Sequence, residues 1–329
     1  MMNVAVIGVG AMGCLLGAFL SPLANVTLLG HWPEQISALS RDGLTLVGVD
    51  GRSTNHAIRA TNDPTTITPV DLALILVKSR QTKEASALAK QILAPDGLAL
   101  TLQNGLGNLE TITAVLGPSH TALGITAQGA AMRKPGIVRH AGHGPTHLAY
   151  NPEIRERFTA IARLFNQSGL TTHLADNVDG LVWGKLAVSC GVNPLTALLG
   201  APNGFLAENE SAKQIMMAAA RETAVVAQAL GITLPYPDAG IRALEVAQAT
   251  AANHSSMLQD IQRGASTEIE AICGAVVENG RIAGIPTPIN AELLRMIKLK
   301  ETGNWRLETD KTLLNLQSLV SNLNSGGIS

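Results

Sequence analysis

Residues 4–13 of the chain read VAVIGVGAMG, an apolar run of strand type that leads straight into a glycine-rich turn. The glycines have the GxGxxG spacing of a dinucleotide-binding turn. In such a turn the first glycine permits the tight bend, the second lets the backbone approach a pyrophosphate, and the third lets the next helix pack on the strand. The free N–H groups of that helix favour phosphate. We assign these residues to a cofactor site: Gly8, Val9, Gly10, Ala11, Met12 and Gly13.

Strand-like and helix-like segments alternate through the first half of the chain, which predicts an open α/β sheet. The expected strands are residues 4–7, 26–29, 72–77, 98–102 and 122–126, with helices near 11–20, 82–93 and 106–116. Two alternating segments, 43–49 and 54–58, flank Asp50-Gly51, a pair typical of hairpin turns. Short strands with Gly and Pro turns follow residue 128, then a helix near 153–167 and a strand at 171–174.

From about residue 179 only helical periodicity remains. It covers residues 208–230, 238–252, 267–283 and 290–300. We therefore expect a Rossmann-type dinucleotide-binding α/β domain over residues 1–177, followed by an all-α domain over residues 178–329. A ligand is expected where the carboxyl ends of the strands face the helices.

The composition of the 329-residue chain limits its class and partners. Apolar residues make up 46% and charged residues 15%, so the chain should fold. A net charge of −1 argues against nucleic acid as a partner. The scattered Cys14, Cys190 and Cys273 indicate reduced thiols and a cytoplasmic location. Gly, Pro or charge interrupts every apolar stretch before the ~20 residues of a membrane span. The sequence leaves monomer and homodimer open.

The choice between NADP and NAD depends on the end of the second strand. NAD enzymes usually place an acid there to bind the ribose diol, whereas this chain has Leu29-Gly30-His31-Trp32. His31 is therefore a candidate contact for the 2′-phosphate of NADP. Glu34 favours NAD by its position, but it follows Pro33, a residue typical of a first helical position, so it is expected in the opening turn of a helix.

Lys185 is the candidate general acid for reducing a ketone, because a lysine with a tuned pKa can protonate the oxygen that gains negative charge. Ser189 and Asn193 lie one and two turns further along the same helical face. The alternatives are an ordinary surface lysine and, since Pro194 comes next, an asparagine that caps the following helix.

A third polar segment carries Asn253, Ser256 and Glu268. In one straight helix the last two would lie ~18 Å apart, too far to share a small ligand. A shared site therefore requires a break at residues 264–266, with Ser266 as the cap of a helix whose first turn holds Glu268. Glu268 could equally be only a first-turn carboxylate.

Three histidines, His140, His143 and His147, are close in sequence. Their neighbours indicate turns between short strands, so we interpret them as surface or turn residues. Hydride transfer needs no metal, and we assign no metal ligand.

With these residues the chain resembles the ketopantoate reductases, NADPH-dependent enzymes of pantothenate synthesis, over nearly its whole length. No single motif decides the resemblance, but their order and spacing are specific. The matching motifs are the turn at 8–13, VK at 77–78 with Gln81, LQNG at 102–105, GKL at 184–186, NPLTA at 193–197, PNG at 202–204, SSMLQD at 255–260 and TEI at 267–269.

The resemblance implies reduction of 2-dehydropantoate to (R)-pantoate by NADPH. It implies that Lys185 is the general acid and that Glu268 hydrogen-bonds the substrate hydroxyl. It places Asn104 by the nicotinamide, and Lys78 and Gln81 near the cofactor. The implied substrate-binding residues are Asn104, Lys185, Ser189, Asn193, Asn203, Asn253, Ser256 and Glu268.

Two positions depart from the family pattern. His31 stands where the family commonly has Arg, and Ser189 where it commonly has Asn. The first bears on NADP preference and the second on the identity of the ketoacid. The alternatives are a related NAD(P)-dependent 2-ketoacid or β-hydroxyacid dehydrogenase and, against the presence of Lys185, Asn104 and Glu268, a non-catalytic NADP-binding sensor.

Overall fold

The computed structural model describes residues 1–149, 154–303 and 318. These residues form two compact units. The first comprises Met1–Gln103 and Gly107–Val178, and the second comprises Asn104–Leu106 and the described residues from Asp179 onward. The expected helix start at residue 153, and residues 304–317 and 319–329 of the expected helical domain, lie outside the described residues.

An eight-stranded sheet forms the centre of the first unit. Its strands are β1 (Met2–Ile7), β2 (Ala24–Leu29), β5 (Arg59–Thr61), β6 (Val70–Ile75), β7 (Leu93–Thr101), β8 (Thr121–Thr126), β11 (Thr146–Ala149) and β12 (Thr172–Ala175). They lie in the order β12-β11-β8-β7-β6-β1-β2-β5. From β5 to β8 the strands are parallel, and β11 runs antiparallel to β8.

Helices cover both faces of this sheet, which is why its central strands are apolar throughout. Val4 and Val6 of β1 pack on the side that also buries Leu15, whereas Ala5 and Ile7 pack on the opposite side. The helices of the unit are α1 (Ala11–Leu20), α2 (Pro33–Asp42), α3 (Thr82–Ile92), α4 (Asn108–Leu116) and α5 (Arg155–Gln167). The expected Rossmann-type sheet is confirmed.

The chain leaves β1 toward β2 and β5 on one side and later fills β6, β7 and β8 on the other. The strand order therefore reverses at β1, and the carboxyl ends of β1 and its neighbours flank that switch point. In open α/β sheets this is where ligands bind.

A second sheet of the first unit has the order β4-β3-β10-β9. Its members are β3 (Leu44–Val47), β4 (Ser53–His56), β9 (Gly129–Lys134) and β10 (Ile137–Gly142). The expected hairpin around Asp50-Gly51 is confirmed, since β3 and β4 pair antiparallel.

The interpretation of His140 as a surface or turn residue is wrong. The ring is 2% exposed on β10, and its Nε2 lies 2.7 Å from Oε1 of Gln128. It packs edge-on against Phe19, so its environment is a strand with a polar partner. His143 is exposed between β10 and β11, as expected, and His147 is half-buried on β11.

The described part of the second unit contains no strand, as expected. Small residues allow close helix packing: Ala219, Ala220, Ala243 and Ala247 are all fully buried. Its helices are α6 (Val178–Leu199), α7 (Asn203–Glu208), α8 (Glu210–Ala229), α9 (Ala239–Ala249), α10 (Ser256–Gln262), a π-helical turn (Glu270–Gly274), α11 (Ala275–Ala283) and α12 (Pro288–Glu301).

One described helix, α6, is long and apolar enough to cross a membrane by length and composition, although Lys185 and Pro194 interrupt its apolar residues as the sequence indicates. The most apolar window of this helix is 67% buried inside the protein, however. That burial is typical of the core helix of a folded domain.

Candidate active site

The glycine-rich turn after β1 has the geometry that its three glycines predict. Gly8 has φ +122°, a region that favours glycine, and its N–H donates to the carbonyl of Leu29 at 2.8 Å. A Cβ at Gly13 would overlap the carbonyl oxygen of Gly8, so the start of α1 approaches the turn too closely for any side chain. A Cβ at Gly10 would meet no atom within 4 Å. The turn therefore leaves open space beside the backbone of its second glycine.

The N-terminus of α1 is suited to an anion. No side chain caps the helix, and its first turn contains no acid. Its N-terminal N–H groups and the partial positive charge of the helix lie at this turn. An uncapped helix end beside open space fits the pyrophosphate of a dinucleotide.

His31 is exposed directly beyond β2, in the loop between β2 and α2. Pro33 is the first residue of α2 and Glu34 lies in its first turn, as expected. Because Glu34 is exposed and stabilised by the helix N-terminus, its place has a structural explanation without a ribose ligand.

The loop after β6 carries two further candidates for the cofactor site. Lys78 is half-buried, and Gln81 is exposed at the end of a short 3₁₀ turn, Ser79–Gln81. Gln103, beyond β7, holds this loop: its Nε2 donates to the carbonyl of Val77 at 2.7 Å. Gln103 belongs to the LQNG motif at 102–105, but the sequence alone indicates no role for its side chain. Its contact joins the ends of two neighbouring strands.

Lys185, Ser189 and Asn193 share one face of α6, and each is partly accessible. Most of the residues around them are buried, including Leu186 and Cys190. The polar stripe is therefore real. The alternative that Asn193 caps a following helix is wrong, because α6 continues without interruption to Leu199.

Lys185 and Glu268 interact inside the second unit. Burial lowers the pKa of the Lys185 ammonium from 10.5 to about 8, and the negative charge of Glu268 acts in the opposite direction. Glu268 is itself 9% exposed. The two segments, 83 residues apart in sequence (268 − 185), thus place an ammonium of reduced pKa near a buried carboxylate.

The break expected between Ser256 and Glu268 is confirmed at Gly264, where φ is +66°. The expected cap is wrong, since the hydroxyl of Thr267 accepts from the N–H of Ile269 at 3.2 Å and no cap by Ser266 is formed. Glu268 therefore precedes the π-helical turn and does not lie in the first turn of an α-helix. A wide π turn changes which residues face inward, and π turns are frequent at functional sites.

The other candidates for substrate contact differ in exposure. Ser256 is exposed at the first position of α10, and Asn253 is half-buried just before it. Asn203 is 8% exposed, and its Nδ2 donates to the hydroxyl of Thr250 at 2.8 Å. The carboxamide oxygen of Asn203 is buried and has no partner.

Asn104 belongs to the second unit together with Gly105 and Leu106, and these two neighbours contact Ala271. The N–H of Leu106 donates to the carbonyl of Ala271 at 2.9 Å. Gly105 has φ +82°, and a Cβ there would overlap the same carbonyl. Asn104–Leu106 is therefore held on the π-helical turn that follows Glu268, within the second unit.

Two contacts of the segments that carry Lys185 and Ser256 are not predicted from the sequence. The Tyr236 hydroxyl donates to the carbonyl of Gly184 at 2.5 Å, and a Cβ at Gly184 would lie 2.9 Å from Pro235. The hydroxyls of Thr196 and Ser255 lie 2.7 Å apart. In the sequence near Lys185, only Gly184 indicates the contact with Tyr236, because a larger residue at this position would not fit against Pro235.

The order of the parallel strands reverses at β1, beside the glycine-rich turn of residues 8–13. This arrangement defines the Rossmann-type, dinucleotide-binding class of proteins. Two models of known protein families together match most of the chain. The model "Ketopantoate reductase PanE/ApbA" matches residues 4–153, and "Ketopantoate reductase PanE/ApbA C terminal" matches residues 177–301. The chain belongs to the ketopantoate reductase family, whose members are oxidoreductases that use a nicotinamide dinucleotide.

Individual relatives agree with this membership. A 2-dehydropantoate 2-reductase of Halobacterium salinarum is 36% identical over 304 residues, which is 91% of this chain and 99% of that protein. The crystal structure of a PanE/ApbA family ketopantoate reductase from Ralstonia eutropha JMP134 has 32% identity and a TM-score of 0.84, covering 92% of this chain and 99% of that one. D-mandelate dehydrogenase, solved with NADH and anilino(oxo)acetate, shares the fold at a TM-score of 0.85 and 24% identity, covering 92% and 99%.

Proposed function

We propose that this protein reduces 2-dehydropantoate to (R)-pantoate with NADPH, with Lys185 as the general acid. Family membership and relatives named 2-dehydropantoate 2-reductase support the reaction. The single observation that carries the mechanism is the placement of the Lys185 ammonium, on the polar face of α6, near the buried carboxylate of Glu268. In this proposal residues 1–177 bind the cofactor, and residues 178–329 supply the substrate and catalytic groups.

The cofactor supplies a hydride to the ketone carbon when it is bound. The uncapped end of α1, with the open space beside Gly10, would hold its pyrophosphate. His31, Lys78 and Gln81 would contact its remaining parts, at the carboxyl ends of β2 and β6. Asn104 would lie by the nicotinamide and the ketoacid.

Lys185 would protonate the ketone oxygen. As the carbonyl carbon is reduced, the oxygen gains negative charge, and an ammonium beside it both stabilises that charge and transfers its proton. With a pKa of about 8 the lysine is still mostly protonated at neutral pH, yet it is a stronger acid than an ordinary lysine. This combination suits a donor that must also be reprotonated.

Glu268 would have two roles. Its negative charge raises the pKa of Lys185 against the effect of burial and so keeps the donor protonated. Its carboxylate would also accept a hydrogen bond from the substrate hydroxyl and orient the ketoacid. Ser189, Asn193, Asn253 and Ser256 would bind the other polar atoms of the substrate, with Asn203 close to them.

The preference for NADPH rests on the loop after β2. His31 is exposed there, and Glu34, an acid three residues further along the chain, has a place in the first turn of α2. A ribose with a free diol would find no acid directly at the strand end.

The reduced state of the three buried cysteines would be maintained in the cytoplasm.

A spectrophotometric panel tests the function. The purified protein is mixed with NADPH or NADH and with a series of 2-ketoacids that includes 2-dehydropantoate, 2-oxoisovalerate and phenylglyoxylate. The highest kcat/KM should belong to 2-dehydropantoate with NADPH. A higher value for a ketoacid without the hydroxyl would refute the substrate, and an equal or higher value for NADH would refute the cofactor preference.

A further inference from the structure

The loop between α9 and α10, residues 250–255, is attached to two other helices by hydrogen bonds of both its backbone and its side chains. It leads into Ser256 and contains Asn253, two of the groups that would bind the ketoacid. Loops of this length are usually mobile unless their backbone and side chains are bonded to the scaffold. The contacts of this loop therefore decide how well those two groups are positioned.

The first attachment is the hydroxyl pair of Thr196 and Ser255. Thr196 is fully buried on α6, and Ser255 is 7% exposed. Their oxygens lie 2.7 Å apart. Ser255 is also the N-cap of α10, since its hydroxyl accepts from the N–H of Leu258 at 3.1 Å. One buried hydrogen bond thus ties the first turn of α10 to the helix that carries Lys185.

The second attachment comes from α7. The N–H of Asn203 donates to the carbonyl of Asn253 at 2.9 Å, and that of Gly204 donates to Ala251 at 3.0 Å. The side chain of Asn203 reaches the hydroxyl of Thr250 at 2.8 Å. All these bonds end on the 250–255 loop, so α7 holds its backbone on one side while Thr196 holds its far end.

We propose that Thr196 is a positioning residue of the ketoacid site, acting through Ser255, and that the Asn203–Thr250 bond supports the same loop. This inference rests on the proposed function. Thr196 has a hydroxyl that also lies 3.0 Å from the carbonyl of Val192 in its own helix. If Thr196 were needed only to fill space on α6, valine could replace it. Valine has no hydroxyl, however, and cannot form the bond to Ser255.

The kinetic consequence follows from what the loop would bind. Groups that hold the carboxylate or other unreactive parts of a ketoacid act equally on the bound substrate and on the transition state. Their displacement raises KM and leaves kcat nearly unchanged. We expect Thr196→Val to raise KM for the ketoacid about fivefold, the factor of one net hydrogen bond. The Kd of NADPH should not change.

Two variants control this result, and a third repeats the test at the second attachment. Thr223→Val removes another fully buried hydroxyl, one that donates to the Ala219 carbonyl of its own helix at 3.0 Å. It should cost similar thermal stability without changing KM. Thr196→Ser keeps the hydroxyl and should restore KM to near the wild-type value. Thr250→Val, which removes the acceptor of the Asn203 side chain, should raise KM as Thr196→Val does.

Amide hydrogen exchange tests the positioning without turnover. In the ligand-free protein, Thr196→Val should raise exchange in residues 250–260 above that of wild type and of Thr223→Val. Equal exchange in the two valine variants, or equal KM values in them, would overturn the inference. A wild-type protein that reduces none of the ketoacids would instead refute the proposed function, and the exchange measurement would still decide the role of Thr196.

Discussion

The charge of Glu268 should set the pH at which the enzyme loses activity. In the proposed mechanism the proton donor is protonated Lys185, so kcat/KM should fall as pH rises through the pKa of this lysine, about 8. Burial lowers that pKa from 10.5, and Glu268 raises it. Glu268→Gln removes the raising charge while keeping the shape. The alkaline limb should then move to lower pH by about one unit or more, as expected for loss of a nearby opposite charge.

The assay is kcat/KM for 2-dehydropantoate at saturating NADPH, from about pH 6 to about pH 10, a range that brackets the lysine limb. Glu270→Gln is the matched control: this acid lies two residues away, is 64% exposed and pairs with Lys298 on α12. Its limb should stay at the wild-type position. A limb in Glu268→Gln that is unchanged, or that moves to higher pH, would refute the electrostatic link between the two residues.

Four further substitutions test the cofactor end and the scaffold. His31→Arg should raise the preference for NADPH over NADH about tenfold in kcat/KM, because a permanent charge strengthens a phosphate contact; an unchanged ratio would remove His31 from the cofactor site. Gly13→Ala should lower the free energy of unfolding in urea by about 3 kcal/mol through overpacking. Gly10→Ala, which meets no atom, should stay stable but weaken NADPH binding; comparable stability losses would contradict the assigned roles. Tyr236→Phe should lower the free energy of unfolding by about 1 kcal/mol, one hydrogen bond to Gly184, and no loss would show that the bond contributes nothing.

Local sequence predicted the features that depend on local physics. The apolar runs become central strands because helices bury both faces of the sheet. Asp50-Gly51 forms its hairpin because Gly51 adopts φ +80°. The stripe of Lys185, Ser189 and Asn193 appears because a spacing of four keeps side chains on one face of a helix.

The features that depend on packing were not predictable in this way. Pro194 lies inside α6 despite removing a helical N–H donor, because burial on both sides of the proline stabilises the continuous helix. The π-helical turn after Glu268 and the hydrogen bond from the N–H of Ile269 to the Thr267 hydroxyl depend on how that segment packs. The Thr196–Ser255 bond joins residues 59 apart, and no pattern in a single sequence indicates such a pair.

One substitution, Lys185→Ala, tests the proposed mechanism most directly. At neutral pH its kcat for 2-dehydropantoate should fall by at least ~10²-fold, the lower end for a positioned general acid. NADPH binding, followed by the change in nucleotide fluorescence, and the thermal unfolding transition should show a folded, cofactor-binding protein. Lys213→Ala, which removes a lysine that pairs with Glu210 on α8, is the control and should keep wild-type turnover. Near-normal kcat in a folded Lys185→Ala protein that still binds NADPH would contradict the account and assign the proton donor to another group.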